Sequence, residues 1–295
     1  QSGFLRAAIQ ARELERFDLL GHCVLGMVGW PRFNRLSFGS DDPEIERKRV
    51  RSLANEVLAG LSHGDQSLRS RLIGVLVRTG RERSEEDNAQ LADTALHLAR
   101  ASGDDRSLFH ALLSKQVSLV LPLHLKEALE LASEAVTLAK QLRAPTRAFA
   151  AYESRIPLHL MLGDIARADA DIAALHEIAE RMKNPAYSYA SSRFALARAL
   201  SDGQLERVRA LMSGVLQLGR RAGDEGALWA SRAIDFWMPA MQGRGEALRE
   251  TPDIGADDSA PSGSGAAFSA YFRMLAGDRE TCASHFRRAA RDVGA

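Results

Sequence analysis

Cysteine is almost missing from this chain: Cys23 and Cys282 are the two in 295 residues, far apart and without a CxxC partner. That excludes a disulfide scaffold and leads us to expect a reducing, cytoplasmic setting. The eight histidines are scattered singly, and none completes an HExxH or two-Cys-two-His pattern, so no metal site is expected. No apolar run approaches the roughly 18 residues needed to span a bilayer, and no signal peptide opens the chain. Charge of one sign is also lacking. The 39 basic and 38 acidic residues nearly cancel, which leaves no field to draw the chain onto nucleic acid or an anionic membrane. Lysine supplies only five of the basic residues (Lys48, Lys115, Lys126, Lys140, Lys183), and so strong a lean to arginine reflects a GC-rich genome more than function. Catalytic motifs are missing too. There is no GxSxG and no GxxxxGK[ST], and the pairs Glu85-Glu86 and Asp257-Asp258 fall in caps and loops. Neither an enzyme nor a cofactor is expected.

What is present is a repeat. Phe109, Phe149, Tyr189 and Trp229 stand at forty-residue steps. Leu91/Ala95/Leu98/Ala99 recurs as Leu131/Ala135/Leu138/Ala139, as Asp171/Leu175/Ile178/Ala179 and as Leu211/Val215/Leu218/Gly219. A self-similar period of this length means supersecondary units stacked on one another. Breakers such as Gly64-Asp65, Gly103-Asp104, Ala144-Pro145, Gly163-Asp164, Asn184-Pro185, Gly203 and Gly223-Asp224 fall about twenty residues apart. Gly supplies a left-handed helix end, and the Asp or Asn after it caps the next helix. The stretches between carry apolar residues at three- and four-residue spacing in an Ala- and Leu-rich background. Strand-like alternation is absent. The expected fold is all-α: a right-handed α-solenoid of antiparallel helix pairs with a forty-residue repeat.

First helices are expected over 105–121, 146–162, 186–202 and 226–242, and second helices over 124–142, 164–183 and 204–222, with an earlier pair at 65–80 and 84–102. Residues 1–62 read as an irregular N-terminal pair, with helices at 4–20 and 44–62 joined through Gly29–Asp42. The repeat array then fills 63–243. A Gly-, Ser- and Asp-rich loop covers 244–266, and a terminal capping pair 267–295. Because Gln1-Ser2-Gly3 reads as the remnant of a cleaved tag and the helical pattern is already running at Phe4, a piece of a larger protein is expected.

Helix–Gly-Asp–helix with small residues at helix contacts resembles the tetratricopeptide repeat, with longer helices. The strings LADTALHLARASGDDRSLFHALLSKQVSL (91–119) and ALHEIAERMKNPAYSYASSRFALARALSDGQLERVRALMSGVLQLGRRAGD (174–224) are more specific. They resemble the helical-repeat region of large signalling ATPases of the STAND type from actinobacteria and their relatives, which carry a LuxR-type helix-turn-helix or a class III nucleotide cyclase domain. The resemblance covers roughly residues 45–292. It implies a regulatory arm that senses an effector or partner, or holds the ATPase shut, and catalyses nothing.

Within the array, Phe109, Phe149, Tyr189 and Trp229 are expected to plug successive inter-repeat gaps. The charged residues of the first helices do not repeat, which marks them as candidates for contact with a ligand or partner. Lys115, Arg155 and Asp235 share one register, Glu153 and Arg193 a second, and Arg232 lies in a third with Tyr152; His159 sits beside Arg155. In tetratricopeptide arrays the first helices line the concave face, and arginine's planar fork suits carboxylates and phosphates. The partner expected there is a small-molecule or peptide effector, a partner protein, or the protein's own ATPase or output domain. Cross-repeat salt bridges such as Glu153 with Arg193 are the structural alternative. A self-associating scaffold without a small ligand is the rival function, and a helical enzyme with a hidden pocket a more distant one.

Overall fold

The computed structural model describes residues 2–28, 43–62, 64–80, 84–119, 123–223, 234, 238–239, 241–244, 282–284 and 287. Trp229, Arg232 and Asp235, the joint at 29–42, the expected loop past residue 244 and most of the 267–295 pair lie outside the described residues. Within them the chain is helical: α1 (Ser2–Glu13), α2 (Phe17–Val28), α3 (Pro43–Gly60), α4 (Gln66–Thr79), α5 (Glu85–Ser102), α6 (Asp105–Ser118), α7 (Leu125–Gln141), α8 (Pro145–Met161), α9 (Ile165–Met182), α10 (Pro185–Ser201) and α11 (Leu205–Arg221). No helix of the described residues is long and apolar enough to cross a membrane. The chain divides into two units, Gln1–Leu175 and His176–Ala295.

The forty-residue period is written into the backbone as well as the side chains. Left-handed φ values recur at Gly103, Arg143, Lys183 and Gly223 after second helices, and at Gly163, Gly203 and Gly243 after first helices. Arg143 (φ 47°) and Lys183 (φ 50°) take this conformation without glycine's freedom, where it costs about 1 kcal/mol or more. Caps follow the expected chemistry. Asp65 accepts from the Leu68 N–H at 3.0 Å, Asp104 from Arg106 and Ser107 at 3.1 and 3.2 Å, and Asn184 from Ala186 at 2.9 Å. Each satisfies donors that the first turn of a helix cannot pair internally.

In the first unit α4 packs on α5, α5 on α6, α6 on α7 and α7 on α8, and α4 also touches α6. The two helix classes are buried differently. α7 buries one stripe, Ala128, Leu131, Ala132, Ala135, Val136, Leu138 and Ala139, whereas α6 buries residues around nearly its whole circumference, Ser107, Phe109, Leu112, Leu113, Lys115, Gln116 and Ser118 among them. First helices are thus sandwiched, so any polar group they carry needs a partner on a neighbouring helix. Phe109 and Phe149 are fully buried in this unit. In the second unit Tyr189 joins a core with Leu196, Ala199, Val208, Val215 and Met238.

The expected helix at 4–20 is in fact two. The chain reverses at Leu14–Arg16, with Glu15 in the left-handed region (φ 51°), Glu15 N–H donating to Arg12 O and Arg16 N–H to Ala11 O. No Gly or Pro marks this turn, because packing imposes it. The Phe4 ring of α1 lies where a Cβ on Gly26 would stand, and the Phe17 ring of α2 lies against Gly60 of α3. Ala8, Ala11, Leu20, Val24, Val50, Val57, Leu68 and Leu72 then form one cluster that draws on α1 to α4 and continues across residue 62.

Candidate functional site

Arg155 lies on α8, nearly two turns before its end, and faces the buried Asp171 of α9. Its Nε donates to Asp171 Oδ2 and its Nη2 to Asp171 Oδ1, both at 2.7 Å, a bidentate fork that joins α8 to α9. Nη1 reaches Ser133 Oγ on α7 at 3.4 Å, and the guanidinium carbon stands 5.6 Å from the centroid of the Tyr152 ring. One side chain therefore ties three successive helices. Asp171 is buried, with a side chain 7% exposed against 18% for Arg155, so the pair is largely removed from water.

His159 follows Arg155 by one helical turn and is itself buried. Its Nε2 stands 3.7 Å from Asp171 Oδ2 and its Nδ1 3.9 Å from Asp164 Oδ2, and Nδ1 has no hydrogen-bond partner. Burial lowers the His159 pKa below its ordinary value; Asp171 opposes this and Arg155 reinforces it. His159 is thus held neutral at pH 7. Its carbonyl accepts from the Asp164 N–H at 2.9 Å, which closes the helix over Gly163 and brings the Asp164 carboxylate to the imidazole.

The other expected residues take varied positions. Lys115, forty residues before Arg155, is buried along its stem and pairs with exposed Asp93 of α5 at 2.8 Å. Asp93 and Ser133 are themselves forty residues apart, so the cations at 115 and 155 each reach back to one register on the preceding second helix. Tyr152 is buried, with Lys140 Nζ 5.7 Å from its ring centroid as well. Glu153 is half-buried. Arg193, in the second unit, is exposed and lies over the Tyr189 ring at 5.7 Å.

Asp171 is the residue missed by the sequence reading, although a signal for it exists. It stands where the other copies of the repeat have Leu91, Leu131 and Leu211. An acid in a core register predicts a buried counter-charge, and the cations of the preceding first helix are within reach.

No model of a known protein family matches this chain, and no curated protein matches it. Among solved structures it is similar to the apo form of RapI, with a TM-score of 0.60 at 11% identity over 85% of this chain and 93% of that one. It is also similar to a Rap protein complexed with competence and sporulation factor, with a TM-score of 0.63 at 14% identity over 85% of this chain and 72% of that one. At such identities the likeness concerns the fold, which is that of the tetratricopeptide-like helical-repeat proteins.

Proposed function

We propose that this chain is a non-catalytic regulatory arm, cytoplasmic, in which the first helices of the first unit bind an effector or a partner protein. The strings at 91–119 and 174–224 resemble the repeat region of LuxR-type and STAND ATPase regulators, which would make the partner the protein's own ATPase or output domain. The fold shared with a Rap protein solved in complex with competence and sporulation factor supports the same class of role.

The observation that carries the reading is the Arg155 bridge. A ligand acid that captures the Arg155 fork must take it from Asp171, and so weakens the tie between α8 and α9. Tyr152, whose ring lies against the Arg155 guanidinium, and His159, beside Asp171, flank the exchange. Binding and helix packing are then coupled, and the ligand shifts the packing only by its differential affinity for the two arrangements.

A thermal-shift panel of acidic peptides and carboxylate metabolites tests this, run on the intact chain and on Arg155→Lys and Glu153→Gln. The expected result is saturable stabilisation by one class of ligand that is weakened in Arg155→Lys. No stabilisation by any member, together with a mass that rises with concentration, would sink the effector reading in favour of a self-associating scaffold.

A further inference from the structure

The ring nitrogens of His159 lie between two carboxylates and bond to neither. The side chain is 5% exposed, and Nδ1 is buried with no hydrogen-bond partner. Asp171 Oδ2 stands 3.7 Å from Nε2 and Asp164 Oδ2 stands 3.9 Å from Nδ1, each beyond the roughly 3.2 Å of a hydrogen bond. A neutral imidazole carries one N–H and can donate to only one of these acids. An imidazolium carries two and can donate to both. The ring is placed for a charge that it does not hold.

The charged groups that face it explain why. Arg155 lies one turn before it on α8, Asp164 stands in the turn that follows, and Arg167 and Asp171 come from α9. From α7, neutral Ser133 meets the Arg155 fork and Lys140 lies over the Tyr152 ring. Both acids already have cations. The Arg155 fork fills both oxygens of Asp171 at 2.7 Å, and Arg167 Nη1 donates to Asp164 Oδ2 at 2.9 Å. Burial is the main cause that lowers the His159 pKa; Asp171 and Asp164 oppose it, while Arg155 and Arg167 reinforce it. Take the Arg155 fork away, and Asp171 becomes a buried carboxylate whose nearest titratable neighbour is the imidazole at 3.7 Å. A carboxylate so close and without a cation favours the imidazolium.

We propose that Arg155 and His159 are alternative counter-charges for Asp171, so that an acidic ligand which draws the Arg155 fork away is bound together with one proton, taken from solvent by His159. The proton adds to the ring nitrogen that lacks one, and no bond between heavy atoms changes. The imidazolium then joins Asp171 to Asp164, so the tie between α8 and α9 passes from one side chain to the other. By linkage, the ligand binds more tightly as pH falls towards the ordinary 6.5 of histidine, and the bound ligand raises the proton affinity of the ring by the same factor. The ligand in this step rests on the effector reading, whereas the exchange of counter-charges belongs to the chain itself.

The test follows the histidine signals of the intact, 13C-histidine-labelled chain by NMR between pH 4 and pH 8, with His159 assigned by its loss in His159→Gln. Arg155→Gln imitates the fork drawn away, and should raise the His159 midpoint by about one pH unit or more over the parent. Arg155→Gln/Asp171→Asn, which leaves no carboxylate to balance, should bring the midpoint back to the parent's or below it. An unmoved midpoint in Arg155→Gln, or an equal rise in the double variant, would overturn the proposal. Should Arg155→Gln fail to fold, Asp164→Asn decides: asparagine caps a helix as aspartate does, so α9 is kept, and the midpoint should fall by about half a pH unit. A midpoint that stays at the parent's value in Asp164→Asn overturns the bridge. No ligand enters this titration, so its failure leaves the effector reading standing, and a blank thermal-shift panel leaves the titration result as it is.

Discussion

Removing the Asp171 carboxylate should be among the most damaging single changes in the first unit. Two unit charges about 4 Å apart attract by about 4 kcal/mol at an effective dielectric of about 20. Asp171→Ala forfeits this and leaves the Arg155 guanidinium largely buried, with Ser133 and the Tyr152 ring as its remaining contacts. Breaking one side of such a pair costs about 3–5 kcal/mol. We take about 3, because Arg155 retains 18% exposure. For a unit of this size that lowers Tm by roughly 6–12 °C, at about 2–4 °C per kcal/mol. Arg155→Met/Asp171→Leu, which restores the leucine of Leu131 and Leu211, should recover to within about 1 kcal/mol of the parent, since a well-packed apolar pair replaces the ion pair without its desolvation cost. Urea denaturation followed by far-UV circular dichroism, run as a double-mutant cycle, measures this directly. If the two single changes add to within about 0.5 kcal/mol, or if Asp171→Ala costs under about 1, Arg155 and Asp171 are not coupled as described.

Further predictions follow the same physical lines. Phe149→Ala opens a cavity at a fully buried site and should cost about 3–5 kcal/mol in the same assay; a loss below about 1 would mean the ring is not a packing plug. Lys183→Gly relieves a left-handed backbone and should stabilise by up to about 1 kcal/mol, whereas Gly163→Ala, with open space around its Cβ, should cost about 1–2 kcal/mol from backbone strain alone; opposite signs in thermal melts would refute the assignment. His110 has a folded pKa well below its ordinary 6.5, so the unfolded chain binds the proton that the folded chain rejects. Stability is therefore full above pH 6.5 and falls as pH drops, by on the order of 1 kcal/mol per pH unit from this residue. His159 adds in the same direction, whereas Asp104, held at about 2, gives its full stabilisation above its ordinary 3.8 and loses it only as the pH falls below that. His110→Gln should flatten the pH profile measured by urea midpoints; an unchanged slope would count against a buried neutral His110.

Much of the fold was open to reading because a solenoid repeats its local signals. Gly-Asp and Asn-Pro steps end one helix and cap the next within a few residues, so most helix bounds lie within a residue or two of expectation. The turn at Glu15 escaped notice because contacts between Phe4 and Gly26, and between Phe17 and Gly60, make it, and no local breaker announces it. The charged residues of the first helices stood out by failing to repeat, yet their partners did not. Asp171 is sixteen residues from Arg155 and on another helix.

The chain's own pattern determines that it is helical, that its unit is forty residues and that Phe109, Phe149 and Tyr189 are alike. Periodicity and capping act over a few residues, and a linear sequence records them. Tertiary structure alone decided which charges meet. Arg71, Arg78, His110 and Arg147 share no forty-residue register, and it is the packing of α4, α6 and α8 that brings them within one another's field. Electrostatic energy depends on distance through space and on the water removed between groups, and neither is written in sequence separation.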